Sequence, residues 1–216
     1  MISTGLAGLD KLLGGGIAAG IVTDIFGPSG IGKTQLAMQI CVNAITEKII
    51  YQDTIGSFRP ERMLEMIKAK KLGPELLDNI IVSRVRNTSE QIENLKKISE
   101  MRPGLVVIDT VTDLFSFEYS KESNALEKHI KLMQYMHSLS LLCIQNKIPV
   151  VITNVVRGSE EGYHENLEKS IGIFTHKKIR LSKEGKKFLA QVLPCFGAKK
   201  EIAYKITPQG LEEEIS

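Results

Sequence analysis

The segment Gly27-Pro28-Ser29-Gly30-Ile31-Gly32-Lys33-Thr34 joins three glycines to a lysine and a hydroxyl in a spacing suited to phosphate chemistry. Glycines let backbone N–H groups turn inward around anionic oxygens. The lysine supplies a cation for terminal phosphates, and the threonine hydroxyl can ligate magnesium. Such a loop needs a strand before it and a helix after it, whose first turn adds its positive dipole end. Both are readable: residues 21–26 form an apolar strand, and Leu36, Met38, Ile40 and Val42 follow at helical spacing behind Gln35. The segment predicts a nucleoside triphosphate site. Asp109 closes the apolar run Leu105-Val106-Val107-Ile108. A carboxylate at the carboxyl end of a central strand can hold magnesium opposite Thr34, usually through water.

The elements that must position these groups alternate apolar strands with amphipathic helices, which predicts a parallel sheet wrapped by helices. Strands are expected over residues 48–52, 80–85, 105–109 and 149–153. Pro60 opens a helix running toward residue 71. Thr88 and Gln91 form a capping box for a helix carrying Ile92, Leu95, Ile98 and Met101, ended by Pro103-Gly104. A long helix spans residues 123–146, with Leu126, Ile130, Met133 and Leu141 at helical spacing. Residues 156–172 are polar, hold two internal glycines and lack periodicity, so they are expected to form a mobile loop. Shorter alternating segments at 177–182, 187–193 and 201–207 predict antiparallel strands at the sheet edge. One domain over residues 1–216 accounts for the whole pattern.

Composition is that of an ordinary globular protein, with 216 residues, 43% hydrophobic, 25% charged and a net charge of +3. No apolar run approaches the roughly 18 residues of a membrane span, and no signal peptide is recognisable. Cys41, Cys143 and Cys195 show no metal-ligand spacing. Cys41 and Cys143 are expected as buried free thiols, in keeping with a cytoplasmic location.

Several blocks resemble, in order, the RecA-type recombinase core of archaea and eukaryotes. They are Thr4-Gly5-Leu6, Leu9-Asp10-Lys11-Leu12-Leu13-Gly14-Gly15-Gly16-Ile17, and the loop through Gln35. Asp53-Thr54-Ile55-Gly56-Ser57-Phe58-Arg59-Pro60-Glu61-Arg62, Val151-Ile152-Thr153-Asn154 and Tyr204-Lys205-Ile206-Thr207-Pro208-Gln209-Gly210-Leu211 complete the set. The likeness is strongest to the short archaeal RadB-like paralogues. It implies an α/β fold of RecA type, a P-loop NTPase core with a mostly parallel central sheet, flanking helices and antiparallel strands at the C-terminal edge. It implies ATP and Mg2+ as cofactors, with Arg62 against the adenine face and His176 at the γ-phosphate bound by a neighbouring subunit. Implied partners are single-stranded DNA, bound without sequence preference, and a recombinase or recombinase paralogue, in a dimer or mixed assembly.

Two departures bear on turnover. The family segment Asp-Thr-Glu-Gly reads Asp53-Thr54-Ile55-Gly56 here, and isoleucine cannot orient water or take a proton. General-base catalysis is typically worth about 10²–10⁴-fold. Asp53 is the nearby candidate substitute. The family pair Asn-Gln reads Asn154-Val155, so the γ-phosphate sensor is also missing. Both changes predict a nucleotide-binding chain with weak or absent hydrolysis.

The loops that carry DNA in the family would fall near residues 116–124 and 156–172. The first offers Lys121 beside Glu118 and Glu122. The second sets Arg157 and Lys169 against Glu160, Glu161, Glu165 and Glu168, with Tyr163 and His164 as possible stacking rings. Cations gather later, at Lys177, Lys178, Arg180, Lys183, Lys186, Lys187, Lys199, Lys200 and Lys205, against Glu184 and Glu201. That strip suits either a DNA backbone or a solvated edge that discourages strand-to-strand pairing. Three readings follow: an accessory factor of DNA repair and recombination, a nucleotide-stabilised interaction module, or a KaiC-like regulatory ATPase. The segment from Phe58 to Arg62 favours the recombinase branch over the last.

Overall fold

The computed structural model describes residues 1–159, 162–194 and 200–214. Its centre is β1 (Val22–Gly27), a strand buried along its whole length that delivers the chain into the phosphate loop. Around it lie β2 (Ile49–Asp53), β3 (Ile80–Arg84), β4 (Leu105–Asp109), β5 (Val150–Ser159), β7 (Lys177–Glu184), β8 (Lys187–Leu193), β9 (Glu201–Thr207) and β10 (Gly210–Glu213). The sheet order is β10-β9-β8-β7-β1-β5-β4-β2-β3, with β6 (Gly162–Glu165) paired to β5 alone. From β3 to β7 the strands run parallel, and β8, β9 and β10 extend the edge antiparallel. The C-terminal edge is therefore antiparallel, as expected. Parallel strands covered on both faces read as continuous apolar runs, which is why Leu105 to Ile108 carries no alternation.

The chain leaves β1 toward β2 on one side, while β7 later joins β1 on the other. This reversal opens a crevice at the carboxyl ends of the strands, where the phosphate loop sits. One face of the sheet is covered by α1 (Ala7–Leu13), α2 (Lys33–Asn43) and α3 (Pro60–Ala69), which pack Leu9, Leu36, Ile40, Met63 and Ile67 with Ile25 and Val107. The other is covered by α4 (Thr88–Met101), α5 (Asp113–Glu118), α6 (Ala125–Asn146) and α7 (Glu168–Ile171). There Leu95, Phe115, Leu132, Tyr135 and Leu139 meet Val106, Ile108 and Ile152.

Helix α2 is buried on nearly every side, so its far face also needs cover. The two ends of the chain supply it. Gln39 donates to the carbonyl of Thr4 (2.9 Å) and accepts from the Leu211 N–H (2.6 Å). One glutamine thus fixes both the N-terminal segment and β10 onto the helix that follows the loop.

Two local expectations are corrected, and the faces of one helix are assigned. Helix α4 is capped one residue earlier than Thr88: the Asn87 side chain accepts from the Glu90 N–H (2.8 Å), and Glu90 accepts from the Arg86 N–H (2.9 Å). Asn is as good an N-cap as Thr, and Thr88 is instead held by Glu118 (2.5 and 2.8 Å). Within 156–172 the described residues are not a loop: β5 continues to Ser159 and pairs antiparallel with β6, and α7 follows. Alternation is absent because polar Glu165, Asn166 and Ser170 are among the segment's buried side chains, with Ile171. In α6 the series Leu126, Ile130, Met133 and Leu141 faces outward, while Leu132, Tyr135, Met136, Leu139 and Leu142 face the core.

Cys41 and Cys143 are buried free thiols, and Cys195 lies outside the described residues. Among the described residues no helix is long and apolar enough to cross a membrane.

Asp24 of β1 is fully buried, and among the described residues neither of its carboxylate oxygens has a partner at good hydrogen-bond geometry. Burial, reinforced by the charge of nearby Glu165, pushes its pKa well above the usual carboxylate range, although Lys178 pulls the other way. A raised folded-state pKa means this site favours folding below the unfolded value of about 3.9 and loses that contribution as pH rises through the folded value. Asp24→Asn is therefore expected to gain stability over the wild type by a margin that grows from acid toward neutral pH. Urea unfolding across that range checks this, and parallel curves would show that Asp24 is not held protonated.

Candidate nucleotide site

The loop's shape follows from its glycines. A Cβ on Gly27 would stand 2.3 Å from the Leu181 carbonyl oxygen, and Gly32, the N-cap of α2, has φ +98°. Only glycine meets the first without displacing β7, and left-handed φ is costly for other residues. Beside the loop lies a cavity of roughly 350 Å³. Ser29, Gly30, Gly32, Lys33, Thr34 and Gln35 form one wall, and Ile55, Ser57, Arg59 and Arg62 form a second. Thr110, Asp113, Val155 and Ile206 close it.

Asp109 is fully buried beneath this cavity. Its Oδ2 accepts from Thr34 Oγ1 (2.8 Å), Tyr51 OH (2.7 Å) and Ser57 Oγ (3.0 Å), and its Oδ1 accepts from Thr153 Oγ1. The hydroxyl and carboxylate that the sequence singled out are therefore in direct contact, and oxygen donors of this kind suit magnesium. Burial and Asp109 together drive the Tyr51 phenol well above its ordinary pKa, so it remains a donor. Lys33 Nζ donates to the carbonyls of Gly27 (2.9 Å) and Pro28 (2.7 Å). Burial lowers its pKa, and Asp109 and Asp113 partly oppose that shift. A phosphate oxygen in the cavity would give this ammonium the close anion that favours its charged form. The donor set fits a magnesium nucleotide.

Arg62 reaches the cavity from α3, and its Nη1 donates to Gln35 Oε1 (2.6 Å) while Gln35 donates to the Thr207 carbonyl (2.6 Å). Both are thus held at one wall.

Asp53, the candidate substitute base, is engaged in the turn that follows β2. It is buried, and its oxygens accept from the N–H groups of Ile55 (3.2 Å), Gly56 (2.7 Å), Ser57 (3.1 Å) and Phe58 (3.3 Å) and from Arg84 (3.3 Å). A carboxylate so occupied shapes the turn that presents Ile55 and Ser57 and is not among the residues lining the cavity. Asp113 is the carboxylate that sequence reading missed. Among the described residues lining this cavity it alone is acidic. The available signal was its position at the start of a helix four residues after Asp109.

His176 sits at the other end of β1 from the loop. Its N–H donates to the Val22 carbonyl (3.0 Å), and its Nδ1 accepts from the Val22 N–H (3.3 Å). It takes no part in the cavity of its own chain. Lys177 lies at the same end, in register with Thr23. Lys178 is not a free surface cation: its ammonium binds buried Glu165 (2.5 Å) and lies over the Phe26 ring (5.7 Å).

Arg180 lines a larger cavity of about 540 Å³, across the loop, with Phe26, His164, Glu165 and Phe188. That space lies away from Lys33 and Thr34, so size alone does not mark the phosphate site. Lys183, Lys186 and Lys187 are exposed around the β7–β8 turn, and Arg157 is exposed on β5. Lys205 pairs with Glu212 (2.9 Å). Glu118 is used to cap α4 and Glu165 is buried, whereas Glu160, Glu161 and Lys199 fall outside the described residues.

A parallel sheet with this loop at its switch point and Asp109 at the end of β4 defines a P-loop NTPase core of RecA type. The chain belongs to the Rad51 family, which matches it over residues 1–214. It is 36% identical over 185 residues to the DNA repair and recombination protein RadA of Cenarchaeum symbiosum, covering 80% of this chain and 46% of that protein. Against RadA of Metallosphaera sedula it is 31% identical over 233 residues, covering 98% of this chain and 72% of the relative. Against the DNA repair and recombination protein RadB of Pyrococcus furiosus it is 32% identical over 222 residues, covering 99% and 96%. The chain thus spans less than half of the Cenarchaeum protein and nearly all of the Pyrococcus one. It is a RadB-like member of the family, matching the core domain.

Because Asp53 accepts several backbone N–H groups, Asp53→Ala is expected to cost roughly 3 kcal/mol of unfolding free energy. Asp53→Asn keeps one acceptor oxygen and is expected to cost about 1 kcal/mol. Urea titration of both variants measures this, and equal losses would refute the turn-shaping role.

Proposed function

We propose that this chain is an accessory factor of DNA repair and homologous recombination that binds ATP with magnesium and turns it over slowly. One observation carries the reading: the phosphate loop, Lys33 and the Thr34–Asp109 pair are assembled, while Ile55 and Val155 line the same cavity without a polar side chain. The loop N–H groups and Lys33 would hold the phosphates, Thr34 and Asp109 the magnesium, and Arg62 the adenine. Magnesium, when bound, neutralises phosphate charge and polarises the terminal group. Phosphoryl transfer to water also needs a residue that orients the nucleophile. Ile55 has no side-chain atom that could orient water or accept a proton. Asp113 is the carboxylate left to do that work, from the opposite wall. The names of the RadA and RadB relatives support the repair and recombination role.

DNA would be met by the exposed cations Arg180, Lys183, Lys186 and Lys187 rather than by the segment around Glu165, which is folded and internally paired. A strip of this kind would hold a single-stranded backbone without reading its sequence.

Hydrolysis and nucleotide affinity measured on the same preparations test the first part. Ile55→Glu is expected to raise the rate at least about tenfold with little change in affinity, and Asp113→Asn to lower the residual rate by a similar factor. Lys33→Ala is expected to abolish nucleotide binding. Brisk, DNA-stimulated hydrolysis by the wild type that disappears in Lys33→Ala would overturn the slow-turnover reading.

For DNA, affinity should fall steeply with salt. Reversing both Lys186 and Lys187 to Glu should reduce the logarithmic salt slope by about 1.4 for single strands. An unchanged slope would exclude this strip.

A further inference from the structure

Helix α6 is apolar on two faces. The inner one is buried in the core, as described. The outer one carries Leu126, Ile130, Met133, Leu141 and Ile144, exposed by 73%, 46%, 37%, 42% and 51%. With exposed His137 between them, these positions follow steps of three and four residues and so lie along one line of the helix. A surface helix ordinarily turns charged and polar side chains outward. A continuous outward apolar seam marks a contact surface.

The seam is nearly its own mirror image along the helix. About Tyr135, Leu126 reflects onto Ile144 and Met133 onto His137, while Ile130 reflects to within one residue of Leu141. The flanking charges obey the same reflection to within one residue. Exposed Glu122, just before the helix, falls opposite exposed Lys147, just after it, and neither joins an ion pair among the described residues. A parallel pairing would instead set Glu122 against Glu122 and Lys147 against Lys147.

We propose that a second copy of this chain covers this face, α6 lying antiparallel to its counterpart across a two-fold axis at the level of Tyr135. Such an interface is isologous, so each favourable pair occurs twice. Leu126 meets Ile144 at both ends of a seam about 27 Å long, since each residue adds about 1.5 Å of helix. Glu122 meets Lys147 at both rims. Exposed Ile173, next to α7, extends the apolar surface, because α7 packs on α6 and Phe174 lies against His137 (6.0 Å). A seam of this size is at the small end of stable interfaces, so association is expected in the micromolar range.

Sedimentation velocity of the full chain up to about 100 µM, a range spanning micromolar affinities, reads the outcome. The wild type is expected to dimerise. Leu126→Glu with Ile144→Glu should weaken dimerisation at least tenfold, by burying charge at both ends. Both positions are exposed, so the thermal melt should be preserved. Glu122→Lys and Lys147→Glu should each weaken the dimer, and their combination should restore it. Lys33→Ala should leave it unchanged. A monomeric wild type across this range overturns the proposal, including the case where the same face binds a recombinase instead. So does a dimer that survives the double glutamate change, or a charge swap that fails to restore it.

Discussion

A carboxylate removed from water must have its lone pairs filled, and Asp109 meets that demand with four hydroxyls drawn from separate parts of the chain. Thr34 comes from the first turn of α2, Tyr51 from β2, Ser57 from the turn after β2, and Thr153 from β5. Each bond fixes one wall of the nucleotide cavity relative to the others. The phosphate loop therefore does not stand alone on β1. It is braced against the neighbouring strands at the one point where magnesium would be held.

A second buried polar network runs the other way from the same strand ends. Thr112 donates to Asn154 (2.7 Å), Asn154 donates to Glu165 (3.0 Å), and Glu165 accepts from Lys178 (2.5 Å). Asn166 donates to both Thr112 (2.9 Å) and Ser116 (3.0 Å). These bonds fold the β5–β6 hairpin onto the core and neutralise charges that would otherwise define an acidic surface. They also remove Lys178 from the basic strip. The surface left for nucleic acid is consequently narrower and lies around the β7–β8 turn.

Much of this was readable in advance because it is local. The phosphate loop, the apolar run ending in Asp109, the proline that opens α3 and the alternating segments near the C-terminus each report on neighbours a few residues away. What escaped were roles set by partners distant in the chain. Asp53 looked like a spare base until its oxygens were seen to be filled by the turn after it. Asp113 drew no notice in the sequence, and only the cavity places it near Lys33. β10 and α1 were passed over because both are short and held by distant partners: Leu211 of β10 donates to Gln39 on α2, and Gly8 of α1 donates to Glu213 of β10.

The amino-acid order by itself determined that a nucleotide loop lies between a buried strand and a helix, and that Ile55 and Val155 bring no polar group to it. Those are properties of residue type, spacing and local geometry. Tertiary structure decided which acids and bases are available and which apolar series is inside. Periodicity shows that α6 has an apolar line at Leu126, Ile130, Met133 and Leu141, yet only packing shows that the sheet takes the other face. Burial and pairing depend on which distant surface arrives first at a side chain, and that depends on the whole fold.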